Sequence, residues 1–257
     1  MEWTIWAGFA AGLLISTVTA PAGVSGAVFL LPVQLSVLGV PSPAVTPTNL
    51  LFNVVAGPGA LWRYRRNGAL HGTLARRLVT WTLPGVLAGA ALRVFALPGP
   101  DVFHILVAAL LLPLGVWLCL RTLRPARWQP EAAEPPARVL AALALTVGAV
   151  GGIYGIGGGS LLGPLLAARG VPMDRLAPAT LAATFTTSLA GAAAYAVLAT
   201  ASTGPVAPDW RLGLACGLSG YLGARLQPRL PETALRLLLG TLAAALGTLY
   251  ATQALVR

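Results

Sequence analysis

Residues Gly151 to Pro172 read GGIYGIGGGSLLGPLLAARGVP, with glycine at positions 151, 152, 155, 157, 158 and 159 of an otherwise apolar region. Glycine is a poor helix former and admits backbone conformations closed to other residues. A lipid-facing helix gains nothing from such a run. Irregular backbone persists inside a bilayer only where protein covers it or a wet cavity borders it. From Ser160 an apolar helical pattern resumes and continues to Arg169. The stretch is therefore predicted to be a broken helix with a new helical N-terminus near Gly158 to Ser160. Such a terminus offers N–H groups and a partial positive charge, which suit an anion.

The surroundings of this break are those of a membrane protein. Of 257 residues, 56% are hydrophobic and 9% charged, where soluble domains carry about a quarter charged residues. The formal net charge of +10 comes entirely from arginine on the basic side, since the chain has no lysine. The arginines fall mainly in short loops between apolar spans, which points to the anionic cytoplasmic leaflet as partner and away from nucleic acid. Cys119 and Cys216 each lie within an apolar span and imply neither a disulfide framework nor a metal site. The first apolar segment follows Glu2 directly, without a basic leader or a cleavage motif, so a cleaved signal peptide is not expected.

Apolar segments are predicted at about 4–20, 24–38, 44–62, 79–97, 102–120, 139–168, 176–200, 211–227 and 235–255. The piece at 24–38 is short for a crossing, which takes about 20 residues. Between 121 and 138 runs RTLRPARWQPEAAEPPAR, the only long polar stretch. It is predicted to be a cytoplasmic linker between a first transmembrane repeat, 1–120, and a second, 139–257. The halves match in register: Gly23 with Gly155, Pro32 with Pro164, Thr48 with Thr180, Gly85 with Gly217 and Arg93 with Arg225, all 132 positions apart. Gly39-Val40-Pro41 answers Gly170-Val171-Pro172 one residue out of step. Equivalent loops differ in charge. Arg63, Arg65, Arg66, Arg76 and Arg77 lie in one loop, 63–78, whose counterpart at 200–210 holds only Asp209, and the uncharged turn at 39–43 corresponds to one bearing Arg169 and Arg175 against Asp174. By the positive-inside rule such loops lie on opposite sides, so the repeats are predicted to be inverted, with both termini external. The expected fold is an all-α polytopic membrane protein of two inverted repeats. Each would begin with a broken or re-entrant glycine-rich helix followed by transmembrane helices.

The pattern GxGGGSLLxPLL at Gly155 to Leu166, the Gly170 to Pro172 turn, the threonine-rich helix from Thr180 to Ser188 and the Gly223-Ala224-Arg225 triplet together resemble the sulfite exporter TauE/SafE family. The first half carries a degraded copy, with Gly23-Val24-Ser25-Gly26-Ala27 in place of the glycine run. The resemblance implies a secondary carrier for small sulfur-containing anions such as sulfite, thiosulfate or organosulfonates. It also implies a multi-pass location in the cell membrane.

The residues agree with an anionic cargo. All seven acidic residues lie outside the predicted spans, so no carboxylate is placed there for a cation or a proton relay. What the spans hold is backbone N–H at two glycine breaks, together with hydroxyl and amide groups. The candidate substrate-binding residues are Gly23, Ser25, Gly26, Thr48, Asn49 and Asn53 in the first half, and Gly157, Gly158, Gly159, Ser160, Thr180 and Thr184 in the second. Thr180, Thr184, Thr187 and Ser188 share one helix face. Arg93 and Arg225 are candidate anion guides. No cofactor or metal is expected, and the substrate, the coupling ion (H⁺ or Na⁺), the transport direction and the oligomeric state are not fixed by the residues.

Each reading has a plainer alternative. Gly155 to Gly159 would equally allow close helix packing. The threonines would equally bond back to carbonyls of their own helix. Arg93 and Arg225, near span ends, would snorkel to the interface. His71 and His104 are expected in solvent and at the interface. Gly23 to Gly26 spells GxSG, as in intramembrane serine proteases, but a serine nucleophile needs a base in reach, and only His71 and His104 exist. A non-transporting membrane assembly subunit is the remaining alternative, though it would not require paired breaks at corresponding positions.

Overall fold

The computed structural model describes residues 2–22, 25–66, 72–97, 99–123, 135–167, 169–202, 206–225 and 232–256. Most of the polar linker, together with Gly23 and His71, lies outside the described residues. Among the described residues ten α-helices follow one another: α1 (Glu2–Ala22), α2 (Gly26–Pro32), α3 (Val45–Arg66), α4 (Thr73–Phe95), α5 (Pro100–Leu123), α6 (Ala137–Tyr154), α7 (Gly159–Ala167), α8 (Met173–Ala201), α9 (Trp210–Arg225) and α10 (Glu232–Val256). Each side of the linker thus carries a long helix, a short one and three further helices. The short predicted piece at 24–38 is α2 continued by a π-helical turn, Val33–Val37. The long piece at 139–168 divides at its glycines into α6 and α7.

By length and composition α4, Val102–Leu123 of α5, α6 and Arg175–Ala201 of α8 are able to cross a membrane, and Trp3–Thr19, Gly26–Val37 and Leu237–Gln253 are shorter apolar helices. Their outward surface is that of lipid-facing helices, with Trp3, Trp6, Leu14, Val197 and Leu249 all exposed. The chain is an all-α multi-pass membrane protein. Its middle helix α3 is less apolar for a physical reason. Thr46, Thr48, Asn49 and Asn53 are buried against other helices, so that face meets protein and not lipid.

α2 is buried over all seven of its residues. Pro32 has no N–H to give to the turn before it, and directly after it the ladder widens to the π register, with Leu38 N–H reaching Val33 O at 3.0 Å. Gly39 and Gly170 close the two short helices of the halves, with φ of 65° and 85°. Both glycines of the repeated glycine-valine-proline turn therefore have left-handed backbone.

Helix packing crosses between the halves. α4 packs on α6 and α8, while α9 packs on α1 and α3; α5 packs on α10, and α3 on α8. Small residues set these contacts. A side chain at Gly85 or Gly89 of α4 would meet the α6 backbone at Leu145 and Ala149, and one at Gly148 or Gly152 would meet α4 at Thr82 and Val86. α4 and α6 therefore run in the same direction. So do α1 and α9, where Gly8 faces Leu212, Gly12 faces Ser219 and Gly223 faces Leu13. α5 and α10 run oppositely, with Gly115 against Gly240 and Gly247 against Leu112. Gly148→Val would force α4 and α6 apart, so a loss of about 1–3 kcal/mol is expected. It would be read as a lower melting temperature in detergent, with Leu145→Val on the exposed side of α6 as a near-neutral control.

Candidate functional site

The second break is built by two glycines with left-handed backbone, Gly155 at φ 74° and Gly157 at φ 75°. A non-glycine residue in that region costs about 1–2 kcal/mol. α6 ends on Gly155, whose N–H and that of Ile156 both reach Gly151 O, at 2.9 and 3.2 Å. The chain is then pressed among three other helices. A Cβ on Gly155 would strike Thr46 O of α3; one on Gly157 would lie 2.7 Å from Ser188 Oγ; one on Gly158 would lie 2.9 Å from Thr82 Cβ of α4; and one on Gly159 would strike Thr180 O. The glycines do serve close packing, and what they pack is the interruption itself.

The polar groups of the break are partly spent. Gly158 N–H donates to Thr187 Oγ1 at 2.9 Å, so this predicted anion donor is engaged by α8. Ser160 Oγ donates to Ile156 O at 2.5 Å across the break. On the α8 face, Thr180, Thr184 and Thr187 donate back to Leu176, Thr180 and Ala183 carbonyls at 2.9, 2.9 and 2.5 Å. Their hydroxyl hydrogens are used within the helix and only their lone pairs face outward. Ser188 Oγ differs: it is fully buried beside Gly157 and has no partner.

In the first half Ser25 caps α2, accepting from Ala27 N–H at 3.3 Å and donating to Asn53 Oδ1 at 3.4 Å. Its described contacts are thus an amide and a backbone group, not a histidine. Gly26 is held close to Phe52, Thr19 and Ser16. Asn49 Nδ2 donates to Ala27 O at 2.9 Å, while Asn49 Oδ1 and Asn53 Nδ2 are buried without partners. Thr48 Oγ1 accepts from Asp209 N–H at 2.9 Å and donates to Ala44 O, so it ties α3 to the start of α9. Thr46 Oγ1 donates to Ile153 O, beside the second break, at 3.1 Å.

The α3 face of Thr46, Asn49 and Asn53 therefore touches both breaks. Seven residues of helix separate its ends, about 10 Å at 1.5 Å per residue. Thr180 and Thr184 lie at the second break only among their described contacts. Gly23 lies outside the described residues, and Arg225 ends α9.

Arg93 does not snorkel. It is 0% exposed in the last turn of α4, donating through Nη1 to Leu97 O and through Nη2 to Ser42 Oγ, with its guanidinium carbon 3.9 Å from the centroid of the Phe103 ring. His104 is partly buried and stacks on Tyr250, with ring centroids 5.4 Å apart. Tyr195, expected from the sequence as a possible neighbour of the break, donates its hydroxyl to Gly152 O at 2.8 Å. Two contributors were missed in the sequence: Thr82 against Gly158, and Gln34, fully buried in the π turn with neither amide atom partnered. Each is a lone polar residue within an apolar span, which is the signal that would have found it.

A polytopic helical bundle with paired interrupted helices, and with amide and hydroxyl groups buried at the interruptions, has the architecture of membrane transport proteins. A family model described as sulfite exporter TauE/SafE matches residues 8–250. The chain belongs to that family of membrane transporters. No curated protein and no solved structure matches the chain.

Replacing Thr187 by Val would keep the shape and remove the acceptor of the Gly158 N–H. An unpaired buried donor costs about 1–3 kcal/mol, so Thr187→Val should melt measurably lower in detergent, with Thr187→Ser near the parent protein.

Proposed function

We propose that this protein is a secondary carrier of small sulfur-containing anions, such as sulfite, thiosulfate or an organosulfonate, across the cell membrane. The observation that carries the proposal is the α3 face, which brings both breaks within about 10 Å along one helix and leaves Asn53 Nδ2 buried and unpartnered there. Across the second break, Ser188 Oγ is equally unpartnered. An amide N–H and a hydroxyl, joined by backbone N–H at the helix starts, can hold an oxyanion without a fixed ion pair, which suits a cargo that must also leave. Gly157, Gly158 and Gly159 let α8 and α4 close directly on the second break, and Gly26 lets Phe52 close on the start of α2. Arg225, at the end of α9, is proposed to draw anions toward the breaks.

Residues 1–120 and 139–257 are proposed to be inverted repeats. The parallel pairs α1 with α9 and α4 with α6, and the antiparallel pair α5 with α10, support this, because each relation recurs when one half is exchanged for the other. The same packing suggests which units move. α4 adheres to α6 and α8, and α9 to α1 and α3, so the rocking of alternating access would run between the group α1–α2–α3–α9 and the group α4–α6–α7–α8, along the α3–α8 contact.

A thermal-shift series in detergent against sulfite, thiosulfate, sulfate, taurine, sulfoacetate and chloride checks the substrate class. A ligand at about 100 times its dissociation constant stabilises by roughly 2.7 kcal/mol. Stabilisation by a sulfur anion, lost in Gly157→Ala, is expected; indifference to every anion would refute the carrier reading. In a cysteine-free background, a short thiol cross-link between α3 and α8 at Leu50 and Gly191, which pack together, should arrest transport in vesicles. A cross-link between α1 and α9 at Gly8 and Leu212 should not. Arrest by both, or by neither, would remove the assignment of moving groups.

A further inference from the structure

Among the described residues, Arg93 is the largest side chain wholly shut away from solvent. Its surroundings hold several dipoles and, among the described contacts, no full negative charge. Nη1 and Nη2 are engaged by a carbonyl and a hydroxyl, the Phe103 ring covers one face, and Nε has no partner at all. Burying a guanidinium this way is expensive unless a counter-charge joins it. A cation needed only as a fastener would be cheaper as a neutral group, because both of its described acceptors are uncharged.

The position also matters. Arg93 packs at the junction of α4, the Ser42 turn that leads into α3, and the first turn of α5. Tyr195 of α8 packs in one apolar cluster with Ala90 and Val94, which lie beside Arg93 on α4. Tyr195 and Thr46 in turn hold the last carbonyls of α6, at Gly152 and Ile153, immediately before the second break. Tyr195 thus bridges the turn of α4 that carries the charge and the end of α6 at the break.

We propose that Arg93 is a fixed counter-charge of an anion-binding site at this junction, with the transported anion as its partner and Nε as the open donor. This deepens the carrier reading and rests on it, replacing a guiding role for Arg93 with a binding one. A guanidinium presents its donors in one plane, which matches the paired oxygens of a sulfur oxyanion better than a spherical halide. The site would therefore favour sulfite or thiosulfate over chloride.

Ser42→Asp separates this from a purely structural role. It places a carboxylate beside Nη2, so the bond from Arg93 to residue 42 is kept or strengthened while the charge is neutralised. The expected result is a protein that elutes as a single species and melts no lower than the parent, with its half-saturating sulfite or thiosulfate concentration raised more than about tenfold. Arg93→Gln should weaken the response likewise, and Arg93→Lys should retain part of it with less preference over chloride. If Ser42→Asp fails to fold, Arg93→Gln and Arg93→Lys give the same reading. Asp101→Asn should behave as the parent; a stronger anion response in that variant would mean that an acid already serves the site, and would overturn the assignment. Undiminished binding in Ser42→Asp, alongside loss in Gly157→Ala, would overturn the role of Arg93 and leave the carrier reading standing. A parent protein that responds to none of sulfite, thiosulfate and chloride would overturn both.

Discussion

A helix that stops inside a bilayer leaves N–H and C=O groups that no water can satisfy, and each unsatisfied group costs several kcal/mol. Much of this protein is arranged around that constraint. At the second break the Gly158 N–H is taken by Thr187, the Gly152 and Ile153 carbonyls by Tyr195 and Thr46, and Ser160 reaches back to Ile156. These partners come from α3 and α8 as well as from the break itself. An interruption is tolerable here because two other helices are close enough to complete its hydrogen bonds.

That closeness depends on the absence of side chains. Gly155, Gly157, Gly158 and Gly159 face Thr46, Ser188, Thr82 and Thr180 at distances that leave no room for a Cβ. The same economy of volume recurs where α4 meets α6 and where α1 meets α9. Because the α4–α6 and α1–α9 contacts each join helices from opposite sides of the linker, neither side is packed without the other. The break and the scaffold that holds it are made from both ends of the chain.

Within this framework the polar groups divide by whether the fold has used them. The threonine face of α8 reads in sequence as a row of donors, yet Thr180, Thr184 and Thr187 direct their hydrogens to their own helix. Hydroxyl groups one turn from a carbonyl have that option, and residue spacing does not reveal whether they take it. Asn53 Nδ2, Ser188 Oγ and Arg93 Nε remain unused. A carrier needs groups of this kind, since a donor already satisfied by the protein gains nothing from a passing anion.

The sequence by itself determined the helical membrane class, the nine apolar segments, the interruption at Gly155 to Gly159 and the repetition of a glycine-valine-proline turn. These follow from local chemistry: apolar runs of a given length, glycine where the backbone turns left-handed, and charge kept mainly to the ends of those runs. It also singled out Asn49, Asn53 and Ser25, since amides and hydroxyls within an apolar span are costly to bury. Only the tertiary structure decided that Arg93 is enclosed rather than snorkelling. The sequence places it near a span end, but Phe103, Ser42 and Leu97 close over it from three separate segments. Likewise, the pairing of α4 with α6 and α9 with α1, and the meeting of both breaks along α3, depend on contacts between residues far apart in the chain. No local pattern encodes them, because several arrangements of the same apolar helices satisfy the same periodicity, and the steric fit of glycine against backbone selects among them.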